Sequence, residues 1–243
     1  MGAVPGRGIL RLAATAGPVA TAGSPLFDVE PLRRVTTRLA RARAVATPTL
    51  VLGSTQPEQT VRRDALARQG VAAARRRGGG GAVYLAPGAQ LWVDVWLPRR
   101  DPLWVDDVVA AAEWVGAWWA EALRRAGVVG LEVHAGRASA ETLEGLVCFA
   151  GRGPGEVFHR GRKVVGLSQW RAREGALFSS CAYRHWDPAP LAELLEVADD
   201  PGQRLDELLR PVAVGLADLE PPVTDLASVE ARLLGSLADF ALP

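Results

Sequence analysis

One lysine stands in a chain that otherwise uses arginine for its positive charge. Lys163 lies in the stretch GRKVVGLSQWR, residues 161–171, while lysine and arginine together number 28. Arginine carries a planar fork, whereas lysine is a compact point charge that reaches a single polar atom. A solvated position accepts either residue, and a composition this biased could retain one lysine by chance. A site that needs a small positive charge beside a reacting carbonyl or phosphate would keep lysine, so Lys163 is a candidate for electrostatic catalysis.

A glycine-rich turn is the second candidate. Four consecutive glycines, 78–81, follow the three arginines 75–77. Glycine lets the backbone approach a ligand closely, and successive exposed N–H groups can hold a phosphate or a carboxylate. The turn is not a P-loop, because no Gly-Lys-Ser/Thr follows, and a strand rather than a dinucleotide-binding helix is predicted after it. The alternative is a flexible hairpin with a solvated basic run.

Cys148, in GLVCFAGRGPGEV, is the third candidate. As a nucleophile it would need a lowered pKa or a nearby base, and His159 and Lys163 follow on what is predicted to be the next strand. A free cysteine is more often a small buried hydrophobic residue. Cys181 has no supporting context, and His134 and His185 are interpreted as structural. The two cysteines fit neither a disulfide framework nor a paired metal spacing, so no metal site is predicted.

The elements that would position these residues alternate between strands and helices. In the strand 91–97, Trp92, Asp94 and Trp96 fall on one face and the aliphatic residues on the other. The segment 104–126 has apolar residues at helical spacing and ends before Gly127. Further strands are predicted at 46–52, 128–134, 145–150, 155–159 and 163–170, and further helices at 57–69, 188–197, 203–217 and 225–240. This order predicts a single α+β domain over residues 1–243 with a helical tail from about residue 188.

The composition excludes several classes of partner. Hydrophobic residues make 49% of the chain, charged residues 23%, and the formal net charge is +1, so neither nucleic acid nor an anionic membrane is indicated. The segment 9–22 has some signal-peptide character, but Arg11 and Pro18 interrupt it. No uncharged stretch is long enough to span a membrane. A cytoplasmic protein is expected.

Taken together, these motifs resemble the lipoate–protein ligase and octanoyltransferase family, whose catalytic domain is related to that of biotin protein ligase. The family's Arg-Arg, glycine-rich turn and short strand are matched by RRRGGGGAVYL, residues 75–85. Its Gly-Arg-Lys strand is matched by GRKVVGLSQ, residues 161–169, and the upstream strand and loop by VLGSTQPEQTV, residues 51–61. The resemblance covers about residues 40–215 and implies a mixed, largely antiparallel β-sheet flanked by helices. The loop of biotin ligases fits less well.

The resemblance also assigns roles to residues. It implies that Lys163 contacts the carbonyl and phosphate of an acyl-adenylate, or the carbonyl of an acyl thioester. In the cysteine-dependent branch a Cys-Phe pair precedes the lysine at the spacing of Cys148 and Lys163, and Glu156 is matched too, which implies that Cys148 carries the acyl chain as a thioester. The implied substrate-binding residues are Arg75, Arg76, Gly78, Gly79, Gly80, Gly81, Ala82, Val83 and Gly166.

The implied function is attachment of a lipoyl or octanoyl group to the lysine of a lipoyl domain, in a 2-oxoacid dehydrogenase E2 or a glycine-cleavage H protein. A ligase would use lipoate plus ATP with Mg, and a transferase would use octanoyl-acyl carrier protein; the motifs leave both open. Two departures stand against the family pattern. Leu85 replaces a usual His, and FSSCAYRHW, residues 178–186, replaces a His-Gly pair. An inactive family member that binds an acyl group or a lipoyl domain is therefore the alternative.

Overall fold

The computed structural model describes residues 10–12, 29–30, 32–137, 142–196 and 204–240. The strands are β1 (Leu10–Leu12), β2 (Leu39–Val45), β3 (Thr49–Leu52), β4 (Ala72–Arg75), β5 (Val83–Leu85), β6 (Gln90–Pro98), β7 (Leu131–Val133), β8 (Val157–His159), β9 (Arg162–Arg171) and β10 (Gly175–Tyr183). The α-helices are α1 (Arg63–Gln69), α2 (Val108–Arg125), α3 (Thr142–Leu146), α4 (Ala189–Leu194), α5 (Leu205–Leu209) and α6 (Leu226–Ser236).

Two sheets organise these elements. The larger sheet has the order β1-β2-β6-β10-β9-β8-β7, and its neighbours are antiparallel except for the parallel pair β1 and β2. The smaller sheet has the order β4-β3-β5, with β4 parallel and β5 antiparallel to β3. The prediction of an α+β fold with a mixed, largely antiparallel sheet flanked by helices is confirmed.

Strand β6 shows why both faces of the larger sheet are covered. Its aliphatic residues pack with α2 and α6 in one core cluster: Leu91, Val93, Val95 and Leu97. On the opposite face Trp92 packs with the smaller sheet, and Trp96 packs with Leu177 in a separate cluster. The alternation predicted for 91–97 is therefore confirmed. The face that carries Trp92 is the one beneath the glycine-rich turn.

Helix α2 forms where its periodicity predicts, although it begins four residues later than expected. Asp107 caps its first turn, because one carboxylate oxygen accepts hydrogen bonds from the backbone N–H groups of Val109 and Ala110 at 2.8 and 2.9 Å. The buried face includes Trp114, Trp118 and Trp119. Among the described residues, no helix combines the length and the apolar composition needed to cross a membrane.

Other predicted elements were wrong in type or extent. The strand expected at 145–150 is instead the end of α3 followed by a 3₁₀ turn, Cys148–Ala150, and the bridge between Val147 and Ala82 is an isolated one that extends no strand. The helix expected at 203–217 ends with α5, since the backbone of residues 212 and 214 hydrogen-bonds to that of Lys163 instead.

The remaining differences concern boundaries. The helix expected at 57–69 is split into the 3₁₀ turn Glu58–Thr60 and α1. The tail contains α4, α5 and α6 rather than long helices, and residues 197–203 and 241–243 lie outside the described part. The segment 9–22 also lies outside it, apart from Leu10–Leu12.

Candidate active site

Lys163 lies near the start of β9 and is held from both sides. Its backbone N–H donates to the Val212 carbonyl and its carbonyl accepts from the Val214 N–H, each at 2.9 Å. Its side chain is 1% exposed, and the ammonium nitrogen Nζ lies 2.6 Å from Oε2 of Glu156. Nζ also donates to the backbone carbonyl oxygen of Cys148 at 2.8 Å. The only lysine of the chain is therefore a buried, oriented cation.

Glu156 is the anionic partner of this cation. Besides Lys163, its oxygen Oε2 accepts the N–H of Gly153 at 2.6 Å, and Oε1 accepts the N–H of Leu167 at 3.4 Å. Burial raises the pKa of the Glu156 carboxyl above its usual value, and the neighbouring Lys163 ammonium opposes that rise. The sequence points to Glu156 only through the family resemblance, which assigns it no role.

Two of the three arginines before the glycine turn, Arg75 and Arg76, bind backbone carbonyls. The Arg76 guanidinium is buried and donates to the carbonyl oxygens of Gly79 at 2.6 Å and Gly81 at 2.9 Å. Burial lowers the pKa of Arg76, whereas the nearby Cys148 and Glu156 raise it. Arg75 instead donates to the carbonyls of residues 53, 54 and 56. Arg76 thus shapes the turn at the site, and Arg75 holds the adjacent loop.

Two glycines of the turn occupy positions that exclude a side chain. Gly80 has a φ of +91°, in the left-handed region that favours glycine, and a Cβ there would lie 3.9 Å from Sγ of Cys148. A Cβ on Gly81 would lie only 2.4 Å from the backbone nitrogen of Val147. The glycine turn therefore packs closely against the segment that carries Cys148. Ala82 continues this contact, since its N–H donates to the Leu146 carbonyl and its carbonyl accepts from the Cys148 N–H.

A small cavity of about 20 Å³ lies between this turn and the larger sheet. It is lined by Arg76, Val83, Trp92, Cys148, Phe149, Gly166, Leu167, Ser168, Ser179, Ser180 and Cys181. The structure thus brings together four of the predicted site residues, Arg76, Val83, Cys148 and Gly166, and places Lys163 in contact with Cys148. Gly166 leaves room for Phe149, whose ring carbon would lie 2.9 Å from a Cβ at that position.

Sequence reasoning missed several lining residues. Cys181 had no assigned role, yet it is buried in the cavity wall, and burial raises the pKa of its thiol. Trp92, Ser168 and Ser179 were not predicted as site residues either. The alternation of their strands could have placed them on one face. Leu85, at the usual family His, is fully buried in the core, and no three metal-ligating side chains cluster within the described ranges.

This arrangement combines a half-buried thiol, a fixed ammonium and a tight glycine turn around one apolar cavity. The hydrogen bond from Lys163 reaches the carbonyl oxygen of Cys148. An acyl group whose carbonyl lay beside Cys148 would therefore meet a positive charge. Such a charge stabilises the oxyanion that develops in acyl transfer.

Comparisons with known proteins agree on the fold. The family model of the lipoyl protein ligase A/B catalytic domain matches residues 43–237. No curated protein sequence gives a significant match. The structure of the T. acidophilum protein Ta0514 with bound lipoic acid has a TM-score of 0.66 at 18% identity, over 95% of this chain and 84% of that one.

Two further solved structures are similar. A bi-partite lipoate protein ligase from the lipoylation system of Thermoplasma acidophilum, described with its E2 lipoyl domain, has a TM-score of 0.63 at 18% identity, over 83% of this chain and 70% of that one. Lipoate-protein ligase A bound with ATP has a TM-score of 0.62 at 18% identity, over 83% and 72% of the two chains. At this level of identity the likeness establishes the shared fold.

Proposed function

The chain belongs to the lipoyl protein ligase A/B catalytic domain family, and from that membership we propose that it transfers an acyl group of the lipoyl or octanoyl kind to the lysine of a lipoyl domain. The observation that carries the proposal is the contact of Lys163 with Cys148 beside the cavity under the glycine turn. A similar structure comes from a system that includes an E2 lipoyl domain, which supports this class of acceptor. A lipoyl domain of an E2 or of an H protein is the proposed partner.

The favoured route passes through a thioester on Cys148. The sulfur of the Cys148 thiol attacks the carbonyl carbon of an acyl-carrier thioester, the bond between that carbon and the carrier sulfur breaks, and the proton that the Cys148 thiol gives up leaves on the carrier thiol. The amine of the acceptor lysine then attacks the new thioester, forming an amide and releasing the Cys148 thiol. Lys163 stabilises the oxyanion in both steps, while the N–H groups of the glycine turn line the donor side.

The ligase route uses the same cavity without the thioester. Lipoate and ATP would give lipoyl-adenylate and pyrophosphate, and the acceptor amine would displace AMP. Similar structures bind lipoic acid and ATP, which supports these substrates. Magnesium would enter with the ATP phosphates. On this route Cys148 serves only as a packing residue.

Mass spectrometry of an acceptor lipoyl domain distinguishes these routes. The protein is incubated with the domain and either octanoyl-acyl carrier protein or lipoate plus ATP, and a domain whose acceptor lysine is replaced by arginine is the control. The thioester route predicts an octanoyl adduct on Cys148 when the domain is omitted, and Cys148→Ala should abolish transfer. A Cys148→Ala protein that still lipoylates with ATP would establish the ligase route.

Lys163→Arg tests the common step of both routes. A guanidinium is larger and prefers two acceptors, so the variant should fold and lose most of its acyl transfer. Near-normal transfer by this variant would refute the role of Lys163. Absence of transfer from every donor by the folded wild-type protein would favour a second function, binding of a lipoyl domain without catalysis, for which the buried Leu85 at the usual His is the supporting observation.

A further inference from the structure

The backbone of Glu156 is fixed by two neighbouring elements. Glu156 directly precedes β8, and its carbonyl accepts the N–H of His134, beyond the end of β7, at 2.8 Å. The N–H of Gly155 donates to the carbonyl of the same histidine at 2.9 Å. This turn also packs closely on α2, since a Cβ on Gly155 would lie 2.0 Å from the carbonyl oxygen of Ala112. The Glu156 side chain therefore starts from a position that two elements hold.

The neighbours of the Glu156 carboxylate indicate which partner of the ion pair holds the proton. Its Oε2 lies 2.6 Å from Nζ of Lys163 and accepts the N–H of Gly153 at 2.6 Å. Its Oε1 accepts the N–H of Leu167 at 3.4 Å. Both oxygens thus face donors, whereas Nζ faces two acceptors, Oε2 and the carbonyl oxygen of Cys148. This arrangement suits a carboxylate and an ammonium.

The other charged and titratable groups near this pair do not replace Glu156. Among the described residues, Glu156 is the only acidic side chain paired with Lys163. The buried Arg76 guanidinium interacts with both Glu156 and the Cys148 thiol, and it adds a second positive charge. A second cation close to an ammonium disfavours its charged form. The carboxylate of Glu156 therefore offsets two buried cations.

The rest of the space around Lys163 is apolar. Its Nζ lies 5.8 and 5.9 Å from the ring centroids of Phe149 and Phe158, and Arg152 lies over the Phe158 ring. The residues at 212–214, which hydrogen-bond to its backbone, are Val-Ala-Val. The titratable side chain of β8 interacts with other charges: His159 with Arg160, Arg162 and Glu220. Burial of a lysine without a counter-ion strongly favours the neutral amine, so this site needs its carboxylate.

We propose that Glu156 is a positioning residue for acyl transfer, because its carboxylate keeps Lys163 protonated and holds the ammonium on the Cys148 carbonyl. This inference rests on the proposed function and adds a requirement to it. Glu156 does not line the cavity and acts through Lys163. A neutral Lys163 amine could still donate to the Cys148 carbonyl, but it would bring no charge to the developing oxyanion. Loss of the Glu156 charge should therefore impair transfer first at alkaline pH.

The single lysine of the chain allows its charge to be measured directly. Protein labelled at the lysine Cε carbon gives one NMR resonance, whose chemical shift reports the protonation of Lys163. In Glu156→Gln the midpoint of this titration should lie at least about one pH unit below that of the wild type. Glu121→Gln is the matched control, because Glu121 pairs with Arg125 on the surface and should leave the midpoint unchanged. Equal midpoints in Glu156→Gln and the wild type would overturn the inference.

The pH dependence of transfer tests the functional part of the inference. Transfer to the lipoyl domain is measured for the wild type and Glu156→Gln from acidic to alkaline pH, with the same donor. The ratio of the two rates cancels the titration of the acceptor amine. The ratio of variant to wild type should fall at least about tenfold, since one pH unit is a tenfold change in the protonated fraction. The fall should be in kcat rather than KM. A ratio that is independent of pH, as a merely structural role predicts, would overturn the role of Glu156.

Failure of this inference and failure of the proposed function give different results. If the wild type transfers no acyl group from either donor, the proposed function fails and the role in transfer fails with it. The NMR titration still shows whether Glu156 holds the charge of Lys163. If Glu156→Gln does not fold, Glu156→Asp decides: its carboxylate is one methylene shorter and lies further from Nζ, so the NMR midpoint should again lie below that of the wild type. An Asp variant that titrates as the wild type does would overturn the inference.

Discussion

Removal of the Lys163 ammonium should reveal a strongly coupled buried ion pair. The two side chains of the pair are 1% and 4% exposed, so Lys163→Met would leave the Glu156 carboxylate buried without its cation. Breaking a buried pair by removing one partner destabilises a protein by about 3–5 kcal/mol. That is a large part of the ~5–15 kcal/mol by which a typical domain is stable.

The loss of stability in Lys163→Met should depend on pH in a defined direction. Burial raises the pKa of Glu156 in the wild type against the opposition of Lys163, and without the ammonium that pKa should rise further. A raised carboxyl pKa means that the native state binds the proton more tightly than the unfolded state. Stability then falls as pH rises from the unfolded pKa through the folded pKa. Lys163→Met should therefore be closest to wild type in acid and furthest from it above the raised pKa of Glu156 in the folded variant.

Urea unfolding at several pH values, followed by circular dichroism, measures both effects. The double variant Lys163→Met/Glu156→Gln should be more stable than the Lys163→Met single variant, because the buried charge is gone and an amide oxygen can still accept from Gly153. The pairwise coupling should lie within about 0.5–3 kcal/mol. Arg68→Ala, which breaks an exposed pair with Asp64, is the control and should hardly move the midpoint. If the effects of the two single substitutions on the free energy of unfolding were additive, and if the loss of stability in Lys163→Met did not depend on pH, the buried ion pair would be refuted.

Two further predictions concern the turn and the long helix. Gly79→Ala should have the melting temperature of the wild type, because a Cβ there meets open space. Gly81→Ala should melt at a lower temperature, because its Cβ would lie 2.4 Å from the backbone nitrogen of Val147. Equal melting temperatures of the two variants in calorimetry would contradict this prediction. Hydrogen bonds from the first N–H groups of α2 hold the pKa of Asp107 below its usual value, so the stabilisation from this carboxylate is present above the usual Asp pKa and is lost as pH falls. The urea midpoints of wild type and Asp107→Ala should therefore converge in acid, and a constant difference would contradict the cap.

The periodicity of apolar residues correctly predicted the strand and the helix that each bury one apolar face against another element. The alternation in 91–97 gave β6 its two faces, and the helical spacing after Asp107 gave α2. It failed at 145–150, where an apolar run that reads as a strand bends into a 3₁₀ turn. The backbone there pairs with Ala82, about sixty-five residues earlier, at one position only. Local pattern carries no information about such a distant contact.

The candidate site, like the fold, was predicted in part from the sequence. The motifs around Lys163 and the glycine turn predicted the family, because they are contiguous in sequence. Trp92 was assigned to a face, but its place in the cavity depends on the register of β10 against both β6 and β9. That register is a property of the assembled sheet. The sequence also does not predict the hydrogen-bond partners of Arg76. A basic run before glycines has the same residues whether its side chains are solvated or are buried and hydrogen-bonded to backbone carbonyls.

The two buried cations at the site make different contacts, and each contact suits its side chain. Arg76 uses its fork to bind two carbonyl oxygens of one turn, a task for which a planar guanidinium is suited. Lys163 instead places a compact ammonium between two oxygens. Its Nζ lies 2.6 Å from Oε2 of Glu156 and 2.8 Å from the carbonyl oxygen of Cys148, and its side chain is 1% exposed. An ammonium has three N–H donors, and these oxygens occupy two of them. On the proposed function, the remaining donor would serve an acyl oxygen beside Cys148, and a guanidinium in the same space would have to displace one of the two oxygens to do so.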